Sequence, residues 1–219
     1  MKNILITGGT GLIGSALCEQ LLGQNHHVTV LSRNPETVKD KCGKRVKGIR
    51  SLTEIDDDMS IDWVINLAGE PIADKPWTKK RKAALEDSRI GLTRNLVDWI
   101  VERRHVPECL ISGSAVGWYG DGGDTVLTEQ SDFTDEYTHQ LCEAWEQQAL
   151  RASQSGVRVC TVRTGLVLAS NGGFLHKMLL PFKLGVGGRL GSGQQYMPWV
   201  HIKDMVNLLA FLANNNQAE

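Results

Sequence analysis

The sequence has no run of about 18 consecutive apolar residues, so it offers no membrane-spanning helix. It has no charge excess either. Lys and Arg number 24 against 25 Asp and Glu, a formal net charge of −1, which gives no bulk reason to bind nucleic acid or an anionic membrane. The cysteines (Cys18, Cys42, Cys109, Cys142, Cys160) are odd in number and widely spaced, and fit neither a disulfide scaffold nor a Cys-x-x-Cys metal site. A reducing, cytoplasmic compartment is the expectation. No signal-peptide pattern precedes the first strand-like residues. The acidic run Asp56-Asp57-Asp58 lacks ligand-bearing neighbours and reads as a solvated turn, so no metal is expected. Internal repeats and low-complexity segments are absent as well. What remains is 219 residues, 41% of them hydrophobic, enough for one α/β domain or one domain with a small appendage.

What is present begins at the N-terminus. Ile4, Leu5 and Ile6 suit a short buried strand, Gly8, Gly11 and Gly14 follow, and residues 15–22 read as a helix with Leu17, Leu21 and Leu22 on one face. Strand, glycine turn and helix is the setting in which this spacing points to a dinucleotide. Gly8 permits the sharp turn, Gly11 lets backbone approach a pyrophosphate, and Gly14 lets helix and strand meet closely. The helix then offers its free N–H groups to phosphate. Thr10, Leu12 and Ile13 share this loop and its expected contact with the cofactor. The alternative is a glycine-rich connection that binds no nucleotide.

A second strand, 28–31, runs into Ser32 and Arg33. An acid at that place would accept a hydrogen bond from the adenosine ribose. Here it is missing, and the Arg33 guanidinium can pair with a phosphate instead, which favours NADP over NAD. The competing reading is a solvated loop arginine. A third strand is expected near 45–49 and a strongly apolar one over 62–68. Leu67, Ala68, Gly69 and Glu70 then fall at the carboxyl edge of the sheet, where open α/β sheets bind ligands. Residues 78–104 form the longest helical segment, with Leu85, Leu92, Leu96 and Ile100 on one face. That spacing puts Arg89 on the buried face, where a charge needs an internal ion-pair partner or a ligand. A strand over 109–114, a helix over 136–155, a strand over 157–162, a glycine-rich stretch over 171–199 and a helix over 203–212 complete the chain. In the 136–155 helix, Leu141, Trp145 and Ala149 face the core, and Thr138, Cys142 and Glu146 share a neighbouring stripe. Alternating strands and helices imply a parallel sheet covered on both faces.

Several stretches carry a family resemblance: Thr7-Gly8-Gly9-Thr10-Gly11-Leu12-Ile13-Gly14, Asn66-Leu67-Ala68-Gly69-Glu70, Ser88-Arg89, Ser112-Gly113-Ser114-Ala115-Val116-Gly117, Leu141-Cys142 with Trp145-Glu146, and Pro198-Trp199-Val200-His201-Ile202. Through them the chain resembles the extended short-chain dehydrogenase/reductase superfamily. More narrowly, it resembles the atypical branch often called nucleoside-diphosphate-sugar epimerase-like. The resemblance implies a Rossmann-type doubly wound sheet, an NAD(P)-binding domain over 1–165, and a partial substrate region over 166–219 whose last helix packs back on the first domain. The family usually carries a further C-terminal segment, so the substrate region is expected to be incomplete. The superfamily works with Ser, Tyr and Lys: Lys lowers the Tyr pKa, Tyr moves a proton during hydride transfer, and Ser polarises the carbonyl. Ser114 matches the serine, Thr138 stands at the Tyr position, Cys142 at the Lys position, and Arg89 where an Asn is usual. Ser114, Cys142 and Arg89 are therefore the candidate catalytic residues. Cys142 is open between a thiolate favoured by Arg89 and a buried small apolar residue. The expected cofactor is NADP(H), and the expected partner is a small carbonyl, hydroxyl or nucleotide-sugar substrate; a homodimer is left open. The alternative function is an NADP(H)-binding redox-sensing or regulatory protein without turnover, as the replaced Tyr and Lys would allow.

Overall fold

In the computed structural model, which describes residues 1–189 and 191–218, the glycine turn lies at the reversal point of a six-stranded parallel sheet. Leu190 and Glu219, both in the expected 166–219 region, lie outside the described residues. The strands are β1 (Asn3–Thr7), β2 (His27–Leu31), β3 (Lys47–Ile49), β4 (Trp63–Asn66), β5 (Cys109–Ala115) and β6 (Arg158–Thr164), in the order β3-β2-β1-β4-β5-β6. Every neighbouring pair is parallel. The chain moves outward from β1 to β3, then crosses back to β4 and on to β6. The crevice beyond the carboxyl ends of β1 and β4 is therefore the switch point, where such sheets bind ligands.

Helices cover both faces: α1 (Leu12–Gly23), α2 (Val38–Cys42), α3 (Lys79–Glu86), α4 (Leu92–Val101), α5 (Tyr137–Leu150), α6 (Gly173–Lys183) and α7 (Ile202–Asn214). Successive residues of a strand point to opposite faces, and the core divides accordingly. Ile4, Ile6, Ile65 and Ile111 meet Leu17, Leu21, Met205 and Leu209 on one side. On the other, Leu5, Val64 and Leu110 meet Leu96, Ile100, Ala149 and Ala152. Both faces being covered is why the central strands are apolar throughout.

The structure departs from the sequence expectation in three places. The long helix over 78–104 is α3 and α4 joined by a π-helical turn, Asp87–Gly91. That turn inserts one residue into the α-helical period. Leu85, Leu96 and Ile100 stay buried, but Leu92 is only half-buried and Thr93 takes the fully buried place. The 136–155 helix ends at Leu150 and tightens into a 3-10 segment, Arg151–Ser155. The glycine-rich stretch holds α6, and with β7 (Leu166–Ala169) and β8 (Trp199–His201) it forms a separate two-stranded parallel sheet. No side chain of α6 is fully buried, so no clear period marked it in advance.

The acidic run is exposed. Among the described residues no cluster of metal-ligating side chains occurs and no helix is long and apolar enough to cross a membrane. All five cysteines are buried.

Candidate cofactor and active site

Two glycines of the first loop are required by close approach. Gly8 has φ +68°, and a Cβ there would lie 2.5 Å from the Leu67 carbonyl group. A Cβ on Gly14 would lie 2.4 Å from the Gly8 carbonyl oxygen. The turn is thus held against both the start of α1 and the end of β4. Gly11 is the N-cap of α1 and supplies no side-chain cap, so the first N–H groups of Leu12, Ile13 and Gly14 have no side-chain partner. With no acceptor of its own, the helix N-terminus favours an anion. The other side of this turn is covered by the 171–173 loop, where added side chains on Gly172 and Gly173 would run into Leu12.

A buried polar network forms the floor of the crevice. Thr7 Oγ1 donates to Asn66 Oδ1 at 2.6 Å and accepts from the Ala68 amide at 3.2 Å. Asn66 Nδ2 donates to Thr93 Oγ1 (2.8 Å) and Ser112 Oγ (3.1 Å), and Trp145 Nε1 donates to Thr93 Oγ1 (2.9 Å). The network ties β1, β4, β5, α4 and α5 together, and its satisfied groups fix the crevice geometry. It also explains why the π turn delivers Thr93, not Leu92, to the interior.

Arg33 is 88% exposed at the side chain, and its Nη1 lies 3.1 Å from Glu70 Oε1. Arg81 Nη1 approaches the other oxygen, Glu70 Oε2, at 3.2 Å. Arg81 and then Arg33 hold the Glu70 carboxyl below its ordinary pKa. Ser32 Oγ accepts from the Asn34 amide.

Arg89, expected on the buried face, is half-buried, and its partners are not carboxylates. Nη2 donates to the Glu70 carbonyl at 2.9 Å and Nη1 to the Leu85 carbonyl at 3.3 Å, with the guanidinium 5.4 Å from the Trp145 ring centroid. Among the described residues no ion pair involves Arg89. Gly69 makes room for it, since a Cβ at Gly69 would lie 3.0 Å from Arg89 Cζ. Burial depresses the Arg89 pKa, and the Cys142 and Tyr137 groups oppose that shift.

Ser114 Oγ donates to Glu146 Oε1 at 2.5 Å. Both oxygens of Glu146 also accept from Arg163, Nε to Oε1 and Nη2 to Oε2, each at 2.9 Å. Arg163 lies 3.6 Å over the Trp118 ring and donates to Tyr119 Oη. Cys142 is neighbour to Ser114 and Arg89, and of its two readings burial favours the protonated thiol over the thiolate. Burial raises its pKa, and the opposing hydrogen bonds from the Ala115 backbone and Ser114 and the Arg89 charge do not overcome it. Cys142 is therefore a neutral thiol. Tyr119 is engaged by Arg163, and Tyr137 donates to the Lys82 carbonyl beneath the Lys82 ammonium. Sequence reasoning missed the Ser114–Glu146–Arg163 chain and the role of Arg81. The polar Glu146 on an inward stripe and the Arg at the end of a buried strand were the signals available.

The strand order, the switch point and the uncapped glycine turn define a Rossmann-type dinucleotide fold. The chain belongs to the NAD dependent epimerase/dehydratase family, whose model matches residues 4–219. It is 39% identical over 223 residues to an epimerase family protein of Staphylococcus aureus strain MW2, covering all of this chain and 73% of that relative. The human epimerase family protein SDR39U1, solved with NADPH, is similar with a TM-score of 0.85 and 32% identity, over 99% of this chain and 72% of that one. A nucleoside-diphosphate sugar epimerase from Corynebacterium glutamicum gives a TM-score of 0.78 at 32% identity, over 95% of this chain and 43% of that one.

Proposed function

We propose that this protein is an NADP(H)-dependent oxidoreductase acting on a small carbonyl or hydroxyl compound. The observation that carries the reading is the arginine edge of the crevice: Arg33, Arg81 and Arg89 surround residue 70, and no acid ends β2. The cradle fits a dinucleotide, because Gly8 and Gly14 are pinned by contacts that a Cβ would break and α1 presents an uncapped N-terminus. The NADPH in the similar human protein supports the same cofactor. Residues 8 and 10–14 would hold the pyrophosphate, Ser32 and Arg33 the adenosine phosphate, and the backbone of residues 67–70 would line the neighbouring ribose. Residues 166–219 would form the substrate side, next to the cofactor domain over 1–165.

When bound, the dinucleotide supplies hydride-transfer chemistry. Cys142, kept protonated by burial, holds a proton beside Ser114. Arg89 supplies the fixed positive charge that would stabilise the thiolate left when that proton is given to a developing alkoxide. Ser114 lies beside the thiol and is itself held by its hydrogen bond to Glu146. Sugar-nucleotide epimerisation is the weaker version, since no Tyr/Lys relay is present to reverse the proton transfer.

One observation favours a second reading, NADP(H) binding without turnover as a redox-sensing or regulatory module. The Ser114 hydroxyl and both nearby phenols already have internal partners. Mixing the protein with NADPH and a panel of carbonyl compounds, and following absorbance of the reduced nicotinamide, separates the two. Oxidation that is lost in Cys142→Ala and Arg89→Ala supports the enzyme. Binding without oxidation across the panel supports the module. NADH binding as tight as NADPH would overturn the NADP assignment.

A further inference from the structure

We infer that Glu70 is a built-in competitor for Arg33, and that this residue sets how strongly the site prefers a dinucleotide bearing a 2′-phosphate over one with a free ribose hydroxyl. The inference rests on the cofactor reading above and assigns Glu70 a role distinct from simple cofactor contact.

Glu70 is fixed from three directions. Its amide donates to Ser88 Oγ at 3.0 Å, its carbonyl accepts from Arg89 at 2.9 Å, and its Oε2 meets Arg81, a side chain only 11% exposed. Arg81 is itself immobile: its Nη2 donates to the Pro71 carbonyl, and its Nε is buried without a partner. Only the fourth contact, Oε1 to Arg33, reaches a mobile group, since Arg33 is 88% exposed. The carboxylate therefore has one permanent guanidinium and one exchangeable one. The exchangeable contact is an exposed ion pair, the kind that contributes little and is readily broken.

Charge gives the direction of the exchange. Three guanidiniums converge on residue 70, and among the described residues Glu70 is the carboxylate that hydrogen-bonds two of them, leaving an excess of positive charge beyond the end of β4. A phosphomonoester dianion at the end of β2 offers Arg33 a doubly charged, bidentate partner in place of a singly charged one already shared with Arg81. Arg33 would swing from Glu70 to the phosphate. A ribose hydroxyl offers no such gain and leaves the ion pair intact. Glu70 thus lowers NADPH affinity by the strength of that pair, keeps Arg33 near the crevice between binding events, and bears little on NADH.

The test uses the full chain and compares wild type, Glu70→Gln, Arg33→Ala and the double variant by titration with NADPH and NADH, read by nicotinamide fluorescence. Glu70→Gln is expected to tighten NADPH by roughly two- to fivefold, the scale of an exposed ion pair, and to leave NADH unchanged. The tightening should vanish in the Arg33→Ala background. Arg33→Ala, a change at an exposed side chain, is expected to weaken NADPH by about tenfold or more without weakening NADH, because a free ribose hydroxyl makes no use of the guanidinium. This last result keeps the inference testable even if Glu70→Gln folds poorly. Equal weakening of both cofactors by Glu70→Gln would make Glu70 a scaffold residue and overturn the inference. Weakening of NADH alone would make it a ribose acceptor, and tightening that persists without Arg33 would make it only a distant charge; either result also overturns it. A wild-type protein that binds neither dinucleotide overturns the cofactor reading and this inference together. One that binds NADPH but shows the wrong variant pattern overturns this inference alone.

Discussion

The sharpest stability prediction concerns Glu146. Its carboxylate is 8% exposed at the side chain and accepts three hydrogen bonds, two from Arg163 and one from Ser114. Glu146→Ala removes all three hydrogen bonds and leaves Arg163, 19% exposed, as a largely desolvated charge. Removing one partner of such a pair costs about 3–5 kcal/mol. Glu146→Gln keeps the shape and one acceptor oxygen, so its loss is smaller, about 1–3 kcal/mol, the range for leaving buried polar groups poorly satisfied. The Arg163 stack on Trp118 survives either change. Replacing the pair together, Glu146→Leu with Arg163→Met, removes the unpaired charge and should recover most of the loss, because buried ion pairs often exchange for apolar pairs at little cost. A residual of about 1 kcal/mol should remain from the stranded Ser114 hydroxyl and should disappear on adding Ser114→Ala. Urea unfolding is the assay, with the slope against denaturant required to stay constant so that midpoint shifts report stability. Additive losses in the double variant, or a Glu146→Ala cost under about 1 kcal/mol, would refute the buried-pair reasoning.

Two further predictions follow from the glycine loop and the thiols. Gly14→Ala should fold with a loss of about 1–3 kcal/mol and bind NADPH at least about tenfold more weakly, because its Cβ meets the Gly8 carbonyl oxygen at 2.4 Å and one backbone segment must move. Gly23→Ala, where a Cβ has nothing within 4 Å, is the control and should leave binding intact; a titration showing equal effects would sink the argument. Burial raises the pKa of Cys18, Cys42, Cys109 and Cys142. The folded state therefore holds these protons more tightly than the unfolded chain. Their contribution is fully present below the ordinary thiol value of 9.0 and falls away above it, for Cys109 up to its raised value of about 12. Unfolding midpoints measured from pH 8 upward should decline through this window, and alkylation of the native thiols should stay slow at neutral pH. Rapid alkylation of Cys142 at pH 7 would show a thiolate and contradict the burial account.

The sheet and its helices were legible because their signals are local. Alternation, glycine spacing and apolar faces each lie within a few residues, and the crevice position follows from strand order alone. The π turn was not legible, since one inserted residue leaves the leucine spacing looking helical while it turns Thr93 inward in place of Leu92. The inward lean of Arg89 could be read from its spacing, but it ends only half-buried, and its partners could not be read, because they are the backbone carbonyls of residues 70 and 85 and the Ser88 hydroxyl. The Ser114–Glu146 bond joins positions 32 apart in the chain. Nothing in either neighbourhood announces it, beyond a carboxylate on a stripe that otherwise faces inward.

These particulars bear on how the proposed site departs from a Ser/Tyr/Lys arrangement. An ammonium beside a phenol lowers the phenol's pKa and makes it a better acid. Here the proton-bearing group is buried and the cation half-buried, and desolvation dominates for each: Cys142 is pushed up and Arg89 is pushed down. A cation held by carbonyl and hydroxyl oxygens has no counter-charge to lose, so it is free to answer a negative charge that forms nearby. The neighbouring thiol is the group on which such a charge would form. Under the proposed function the pair would be neutral-plus-cation at rest and ion-paired once the proton leaves, with the stabilisation in the product of proton transfer and not in the ground state. Under the proposed function, Arg89→Ala should then depress kcat with little change in KM, whereas a residue that only shapes the crevice would change KM.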